Sequence, residues 1–296
     1  MTTTGRFAPS PTGRMHLGNV FSALLSWLSA RSQDGRWLLR IEDIDRERSR
    51  QAYADLLMDD LQWLGLTWDE DPVYQSQRSD IYEHYFDLLI KRGLTYPCYC
   101  TRNDILATQA PHESDGRVVY KGTCRHLPPR EGVAAATRLM VPEQEIAFTD
   151  GHYGLQSIDL SKHVGDFIIR RKDGAWAYQL VVVIDDALMG VNEVVRGRDL
   201  LLSSPQQMYI ASLLRFAPPR FTHLPLLCNE AGQRLSKRDR SLDMASLRSR
   251  FTASEIIGRL AFTAGLLPEP QPMTPQQLLP FFDWKKVPTK DITLLY

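Results

Sequence analysis

The first 94 residues alternate between short apolar runs and longer segments whose apolar positions recur every three to four residues. The runs 6–9 and 37–41 have the length of strands, and a polar turn follows each of them. The segments Asn19–Ala30, 47–64 and 78–92 have the period of amphipathic helices, and the first is expected to be capped by its own first residue. Strands and helices in this order predict a parallel sheet with right-handed crossovers.

The pattern changes after the third of these helices. Residues 95–150 combine cysteines and prolines with short strand-like pieces, which predicts an insertion into the sheet. Regular structure resumes with strand-like runs at 166–170, 177–185 and 221–228 and with a helix at about 205–215. The run 177–185 is apolar enough to predict a buried central strand of the main sheet.

These elements predict an α/β fold: a Rossmann-type, doubly wound parallel sheet with an insertion and a short helical C-terminal subdomain. The predicted segments are the first half of the main domain (1–94), the insertion (95–150), the second half of the main domain (151–240) and the helical subdomain (241–296). No apolar run approaches the roughly 20 residues that span a bilayer, and the N-terminus lacks a signal pattern. We therefore expect a cytoplasmic protein without a membrane partner.

Charge alone leaves the function open. Thirty-five basic residues balance thirty-five acidic ones, so the net charge does not indicate a nucleic-acid partner. The distribution is uneven, because residues 43–71 hold nine acids against three bases and residues 234–250 hold six bases against two acids. Such clusters are usually solvated surfaces.

The loop between the first strand and the first helix has the composition of a phosphate-binding segment. It runs from Pro9 to His16, Gly18 and Asn19, with two prolines and a glycine that stop regular structure. A helix N-terminus at a strand end offers unpaired N–H groups to phosphate, and His16 could donate a further hydrogen bond. Gly18 would let a flat ring lie against the backbone. The alternative is that His16 only caps the helix and Gly18 only forms a turn.

A second loop, more than 200 residues later, carries Arg234, Ser236 and Lys237 after a glycine. Lys237 could stabilise the charge that develops on phosphates during in-line displacement at the α-phosphorus. Taken alone, this segment would be a solvated basic loop. Taken together, the two loops resemble the two signature motifs of class I aminoacyl-tRNA synthetases, His-x-Gly-His and Lys-x-Ser-Lys.

Two positions depart from these signatures. Asn19 stands where the last histidine of the first motif is found, and Arg234 stands where the first lysine of the second is found. Arg234 keeps the charge, and Asn19 keeps the ability to hydrogen-bond but cannot titrate. We expect activity to survive both changes.

The resemblance is closest to the glutamyl-tRNA synthetases and extends from residue 6 to about residue 240. The matching segments are Arg6-Phe-Ala-Pro-Ser-Pro-Thr-Gly13, Leu39-Arg-Ile-Glu-Asp-Ile-Asp45, Tyr178 through Val183-Ile-Asp-Asp186, and Val195-Arg-Gly-Arg-Asp199. The fold that this resemblance implies is the class I catalytic core. The ATP-binding residues that it implies are His16, Gly18, Asn19, Ser236 and Lys237, of which His16 and Lys237 are catalytic. The glutamate-binding residues that it implies are Arg6, Phe7, Ala8, Pro9, Ser10, Glu42, Tyr178 and Arg196, with Glu42 facing the ammonium group.

Only 59 residues follow Lys237, whereas glutamyl-tRNA synthetases continue much further, into an anticodon-binding domain. This shortfall, together with the cysteine insertion, resembles the glutamyl-queuosine tRNA(Asp) synthetases. Those truncated paralogues attach activated glutamate to the queuosine base at the wobble position of tRNA(Asp). The resemblance implies ATP with Mg²⁺, L-glutamate and queuosine-containing tRNA(Asp) as partners, and no anticodon-binding domain. No obligate protein partner is evident.

Three of the four cysteines have the spacing of a metal site. Cys98, Cys100 and Cys124 are close in sequence, and in a cytosolic chain this arrangement favours metal binding over disulfides. Three soft thiolates suit Zn²⁺. The fourth cysteine, Cys228, lies in an apolar run and is expected to be buried and inert.

The resemblance implies that Tyr120 completes the coordination of one structural zinc ion. On chemistry alone, His112 and His126 are competing fourth ligands. For the RNA, we expect an approach with the anticodon first, because unpaired loop bases are the accessible part of a stem-loop. Candidate phosphate contacts are the basic segment 234–250 and the residues Lys121, Arg125 and Arg130 near the metal site.

Three other functions remain open. The first is a conventional or truncated glutamyl-tRNA synthetase that charges the tRNA 3′ end. The second is an adenylate donor that passes glutamate to a carrier protein or a small amine. The third, of another class, is a zinc-stapled RNA-binding pseudoenzyme, against which the retained residues His16, Gly18, Ser236 and Lys237 argue.

Overall fold

The computed structural model describes residues 2–101, 103–104, 119–235 and 242–294. The elements up to residue 98 are β1 (Thr4–Phe7), α1 (Leu17–Arg31), β2 (Arg36–Ile41), α2 (Gln51–Trp63), β3 (Asp69–Tyr74), α3 (Ser79–Lys91) and β4 (Thr95–Cys98). Strands β1 and β2 pair in parallel, and β3 pairs in parallel with the other edge of β2. The predicted strands, helices and parallel sheet of this part are therefore confirmed.

Between residues 119 and 235, strands of small antiparallel sheets come first and the second part of the parallel sheet follows. The elements are β5 (Ala136–Leu139), β6 (Glu145–Asp150), β7 (Gly154–Asp159), α4 (Leu160–His163), β8 (Phe167–Arg170), α5 (Tyr178–Leu188), β9 (Glu193–Gly197), α6 (Ser203–Leu214), β10 (Arg220–Leu224) and β11 (Leu227–Cys228). Strands β9 and β10 pair in parallel. The backbone N–H of Asn192 donates to the carbonyl of Thr4 at 3.0 Å, which places the start of β9 beside β1.

Helices cover both faces of this sheet, as a doubly wound fold requires. Alternate side chains of a strand point to opposite faces. On one face Trp37 of β2 donates to Ser26 of α1 at 2.7 Å, and on the other face Arg40 of β2 donates to Asp186 of α5 at 2.5 Å. The predicted α/β class is confirmed.

One element type was predicted wrongly. The run 177–185 is not a central strand but most of helix α5. Seven consecutive residues of this helix, 180–186, are buried, and they include the two aspartates Asp185 and Asp186. A helix that is buried all round has no polar stripe, so its sequence has the same continuous apolar character as a buried strand. The predicted strand 221–228 is also interrupted at Pro225, between β10 and β11.

In sequence, the strands of the antiparallel sheets come between the two parts of the parallel sheet. Strands β4, β5 and β8 form one sheet, in which the predicted strand at 166–170 pairs with β5 and not with the parallel sheet. Strands β6 and β7 form a hairpin. This hairpin docks on β10, where the N–H of Gly151 donates to the carbonyl of Phe221 at 2.8 Å. The segment boundaries given above stay predictions.

The C-terminal part packs against the face of the sheet that α1 covers. Its elements are α7 (Met244–Arg248), α8 (Ala253–Thr263), α9 (Pro275–Leu278) and β12 (Ile292–Thr293), with short 3-10 turns at Leu279–Phe281 and Trp284–Lys286. Strand β12 pairs in parallel with β11, and α8 shares a hydrophobic core with α1 and β2. No helix among the described residues is long and apolar enough to cross a membrane.

Candidate active site

One cavity of about 480 Å³ opens at the carboxyl ends of β1, β2 and β9. It brings together every predicted nucleotide- or glutamate-binding residue that the structure describes. These are Arg6, Phe7, Ala8, Pro9, Ser10, His16, Gly18, Asn19, Glu42, Tyr178 and Arg196. Ser236 and Lys237 lie outside the described residues. The position at strand ends is the one that open parallel sheets use for ligands.

His16 both caps helix α1 and lines the cavity. Its Nδ1 accepts a hydrogen bond from the backbone N–H of Gly18 at 3.1 Å, and its own backbone N–H donates to Oδ1 of Asn19 at 3.1 Å. The N-cap is therefore His16, and the predicted N-cap, Asn19, is the third residue of the helix. Because Nδ1 accepts, a neutral ring carries its proton on Nε2.

Gly18 is required by the closeness of the histidine ring. A Cβ atom at this position would lie 3.0 Å from Cε1 and 3.1 Å from Nδ1 of His16. Such contacts are tighter than van der Waals distance, so a side chain at Gly18 would push the ring out of its position. Gly18 is the second residue of helix α1 and not a turn residue, so the alternative that it only forms a turn is wrong.

The described residues before the segment 236–241 line this cavity, and a residue after it contacts His16. Arg234 and Leu235 line it, and the guanidinium of Arg234 pairs with the carboxylate of Asp199, another cavity residue. On the far side, Asp243 forms an antiparallel bridge with His16. The described residues that flank the segment 236–241, Leu235 and Asp243, therefore both lie near His16 of the first loop.

A buried chain of charges links two residues of the cavity wall, Arg6 and Glu42. Arg6 donates from Nε to Asp186 at 3.2 Å, and the fully buried Arg40 donates to the same oxygen of Asp186 and, at 3.1 Å, to Glu42. Burial opposes ionisation of Asp186, but the charges of Arg40 and Arg6 hold the pKa of its carboxyl below the ordinary value. Burial raises the pKa of Glu42 despite the same two arginines.

Arg196 is buried and is held by neutral groups. It donates to Oε1 of Gln207 at 2.8 Å, to Oγ of Ser204 at 2.8 Å, to Nε2 of His223 at 3.2 Å and to the carbonyl of Leu200 at 3.3 Å. No carboxylate of the described chain lies within ion-pair distance of it. Burial lowers the pKa of this guanidinium. A buried cation without a direct counter-charge is suited to bind an anionic group.

The three predicted metal ligands lie together. The sulfurs of Cys98, Cys100 and Cys124 are within 4.8 Å of one another, and those of Cys100 and Cys124 are 3.5 Å apart. The Tyr120 hydroxyl is 3.4 Å from Cys98 Sγ and 3.6 Å from Cys100 Sγ. A tetrahedral zinc ion with bonds of about 2.3 Å sets its sulfurs about 3.8 Å apart, so this donor set fits Zn²⁺.

The competing fourth ligands do not join this group in the described part of the chain. His126 is exposed and is not among the clustered donors, and His112 lies outside the described residues.

Burial raises the pKa of the Cys100 thiol to about 11. Burial also opposes ionisation of Cys124, but the hydrogen bond from the Tyr120 hydroxyl and further bonds to the sulfur lower its pKa to about 7. The thiol of Cys124 is therefore closer than that of Cys100 to the thiolate form that a metal binds.

Cys228, the fourth cysteine, lies on β11 and is buried, as predicted. Burial raises the pKa of its thiol, which disfavours the reactive thiolate.

Several of the predicted phosphate contacts are engaged within the protein. Arg248 pairs with Asp59 and Asp60, and Arg125 pairs with Asp166. These arginines are held by carboxylates and do not offer an unpaired charge to RNA. The guanidinium of Arg130 lies over the ring of Tyr99, 4.9 Å from its centroid.

Several residues that shape the site were not predicted individually. Arg40, Asp186 and Asp199 lie inside motifs that the sequence analysis quoted, so their motif membership was the available signal. Ser204, Gln207 and His223 lie outside those motifs, and only the folded arrangement shows that they contact Arg196.

Comparison with known proteins shows which sequences this chain resembles. The chain matches the profile of the class I tRNA synthetases (E and Q), catalytic domain, over residues 2–255. It is 44% identical to the glutamyl-Q tRNA(Asp) synthetase of Symbiobacterium thermophilum, with 98% of this chain and 95% of that protein covered. It is 46% identical to the glutamyl-Q tRNA(Asp) synthetase of Deinococcus radiodurans, with 95% of this chain and 97% of that protein covered.

A solved structure has a similar fold. The crystal structure of a glutamate tRNA ligase from Elizabethkingia meningosepticum, in complex with its amino acid, aligns with a TM-score of 0.83 at 26% identity. The alignment covers 99% of this chain and 67% of that one.

Proposed function

The chain belongs to the class I tRNA synthetase family (E and Q), and we propose that it activates L-glutamate with ATP and transfers it to the queuosine base at the wobble position of tRNA(Asp). The family consists of ligases, and the relatives with 41–46% identity are glutamyl-Q tRNA(Asp) synthetases. The observation that carries the proposal is the cavity itself, where a helix N-terminus bearing His16 faces a buried, charged pocket.

In this proposal the charged pocket recognises glutamate. Two carboxylates need cationic partners and one ammonium group needs an anionic partner. Arg6 and Arg196 supply the cations, and Glu42 supplies the anion. The neutral surroundings of Arg196 support this role, because a substrate carboxylate would provide the counter-charge that the described protein does not place there.

The first step is formation of the adenylate. An oxygen of the glutamate α-carboxylate attacks the α-phosphorus of ATP, and the bond to the leaving pyrophosphate breaks. The proton on Nε2 of His16 and the ammonium of Lys237 stabilise the charge of the pentavalent transition state, and neither group transfers a proton. Mg²⁺ enters with ATP and shares the phosphate charge.

The second step transfers glutamate to the RNA. A hydroxyl of the queuosine cyclopentenediol attacks the carbonyl carbon of the mixed anhydride, loses its proton, and releases AMP. Because the anhydride is already reactive, positioning of the hydroxyl contributes more than base catalysis. The wobble base lies in an unpaired loop and is therefore accessible to a protein pocket.

We also propose that Cys98, Cys100, Cys124 and Tyr120 hold one structural zinc ion. Cys98 ends strand β4, and Tyr120 bridges to Gly165 just before β8, so the donors tie separate parts of the antiparallel sheet together. The zinc ion supplies cross-linking and no catalytic step. We place the reaction in the cytosol, where thiols stay reduced.

Glutamate-dependent exchange of pyrophosphate into ATP, without tRNA, tests the activation step. Exchange with L-glutamate and not with L-glutamine or L-aspartate is the expected result. Absence of exchange with any amino acid, with retained binding to RNA, would favour the pseudoenzyme alternative. Transfer assays then distinguish acceptors: charging of tRNA(Glu) at its 3′ end would favour a conventional synthetase, and transfer only to a carrier protein or small amine would favour an adenylate donor.

A further inference from the structure

Arg196 contacts a buried histidine, which in turn contacts a buried aspartate. The proposed reaction uses neither of these two residues. His223 lies opposite it in the parallel register of β9 and β10. Nε2 of His223 is 3.2 Å from Nε of Arg196, and Nδ1 is 2.6 Å from Oδ2 of Asp150. The side chains of His223 and Asp150 are both fully buried.

The chemistry of the three groups fixes the direction of both hydrogen bonds. A guanidinium nitrogen is always a donor, so Nε2 of His223 must accept from Arg196. The imidazole proton is then on Nδ1, where it is donated to the carboxylate of Asp150. The ring is therefore neutral, in the Nδ1–H tautomer. Consistent with this, burial lowers the pKa of His223.

The carboxylate in this chain comes from the β6–β7 hairpin. Asp150 ends β6, and its Oδ1 also accepts the backbone N–H groups of His152 at 3.0 Å and Tyr153 at 2.9 Å. The hairpin lies close to β10, because a Cβ atom on Gly151 would be 2.3 Å from Oγ1 of Thr222. The Asp150 side chain thus connects the hairpin to His223, which contacts the cavity residue Arg196.

We propose that Asp150 and His223 form a positioning relay that aims the Arg196 guanidinium at a carboxylate of the substrate. The inference rests on the proposed function, in which Arg196 binds glutamate. A carboxylate in direct contact with Arg196 would orient it equally well but would compete with the substrate for its charge. A neutral imidazole between the two charges orients the guanidinium and leaves its charge for the ligand.

The relay predicts that two amide substitutions of His223 differ in their effect, because each amide replaces a different nitrogen of the imidazole. The amide of His223→Gln places an acceptor near the position of Nε2, so it keeps the contact with Arg196. It loses the contact with Asp150, but the role of Asp150 is to fix the imidazole tautomer, and an amide oxygen accepts without that help. The amide of His223→Asn places a donor near the position of Nδ1, so it keeps the contact with Asp150 and loses the one with Arg196. His152→Asn is the matched control, because His152 lies in the same hairpin and contacts Pro288.

Steady-state pyrophosphate exchange measures the effect. We expect His223→Asn to raise the glutamate KM about 10- to 100-fold, the cost of a lost hydrogen bond to a charged group, and to leave the ATP KM within about twofold. We expect His223→Gln and His152→Asn to keep the glutamate KM within about threefold. A merely structural role would lower the melting temperature without separating the two KM values, and equal glutamate KM values in both His223 variants would overturn the proposal.

A measurement on the unaltered protein remains decisive if a variant does not fold. Long-range ¹H–¹⁵N spectra report which imidazole nitrogen carries the proton, and we expect the Nδ1–H tautomer for His223 at neutral pH. The Nε2–H tautomer or an imidazolium would contradict the relay. If the unaltered protein shows no glutamate-dependent exchange, the proposed function fails, whereas normal exchange with an unchanged glutamate KM in His223→Asn rejects only the relay.

Discussion

Asp243 forms an antiparallel bridge with His16, and the next residue, Met244, donates its backbone N–H to the carbonyl of Met15 at 2.9 Å. Since Leu235 lines the cavity that His16 lines, the described chain contacts this site immediately before and shortly after the segment that contains Lys237. Arg234 and Leu235, the described residues that precede the second signature segment, thus line the same cavity as the first, although the two are more than 200 residues apart in sequence.

Lys237→Ala is expected to lower kcat of pyrophosphate exchange about 10²- to 10³-fold, because it removes a group that is proposed to stabilise the transition-state charge. The glutamate KM should stay nearly unchanged, since Lys237 is proposed to act on the phosphates. Steady-state kinetics with Lys172→Ala as the control, a change at an exposed lysine, checks this. Full kcat in the Lys237→Ala variant would remove this lysine from the mechanism.

Gly18→Ala is expected to separate stability from activity. Alanine has a higher helix propensity than glycine by up to about 1 kcal/mol, and this gain offsets the N-cap hydrogen bond that a displaced His16 ring loses, so the melting temperature should change little. The added Cβ displaces the ring of His16, so kcat/KM for ATP should fall at least about tenfold.

Gly93→Ala provides the opposite control for this prediction. Gly93 has φ +66° with open space around it, so alanine there should cost about 1 kcal/mol of stability and leave activity intact. Thermal melts and ATP kinetics of the two variants check the pair. An active Gly18→Ala enzyme would show that the His16 ring position does not matter.

The glutamate KM is expected to rise as the pH falls from neutrality. Burial raises the pKa of Glu42, so this carboxylate takes up a proton at a higher pH than an ordinary glutamate. It then loses the charge that is proposed to face the substrate ammonium. The rise should therefore begin above the pH at which glutamate's own side chain titrates. Glutamate KM values between about pH 5 and pH 8 test this. Glu42→Gln should bind glutamate weakly and without this pH dependence, and the same profile in both proteins would contradict the assignment.

One zinc ion per chain is expected by elemental analysis. Cys124→Ser should lose the metal and lower the melting temperature, because three thiolates hold the site together. Cys228→Ser removes a buried thiol outside the cluster and serves as the control that keeps its zinc.

Tyr120→Phe tests the fourth ligand separately. We expect it to weaken zinc affinity at least about tenfold, as measured by competition with a chelator. Unchanged affinity would assign the fourth position to another donor.

The composition of the cavity could be predicted from sequence because its residues fall in short contiguous motifs. Arg6, Ser10 and His16 belong to one strand–loop–helix unit, so the local pattern predicted the unit, and the resemblance of its contiguous motif to the glutamyl-tRNA synthetases implied the residues. The N-cap was misplaced by three residues because His16 and Asn19 cap each other reciprocally, and the apolar period is compatible with either as the start.

The supporting contacts could not be predicted in the same way. The link between Asp150 and His223 joins residues 73 positions apart, on a hairpin and a parallel strand. Hydrophobic period indicates burial but not which polar groups meet inside the core. Helix α5 was missed for a related reason, since uniform burial removes the polar stripe that distinguishes helix from strand.

Transfer of labelled glutamate to tRNA(Asp) with and without queuosine tests the central claim most directly, when nuclease digestion separates the anticodon loop from the 3′ end. The account predicts ATP-dependent label in the anticodon loop of the queuosine-containing tRNA and none in the unmodified tRNA. Label at the 3′ end, or equal label in both tRNAs, would contradict it.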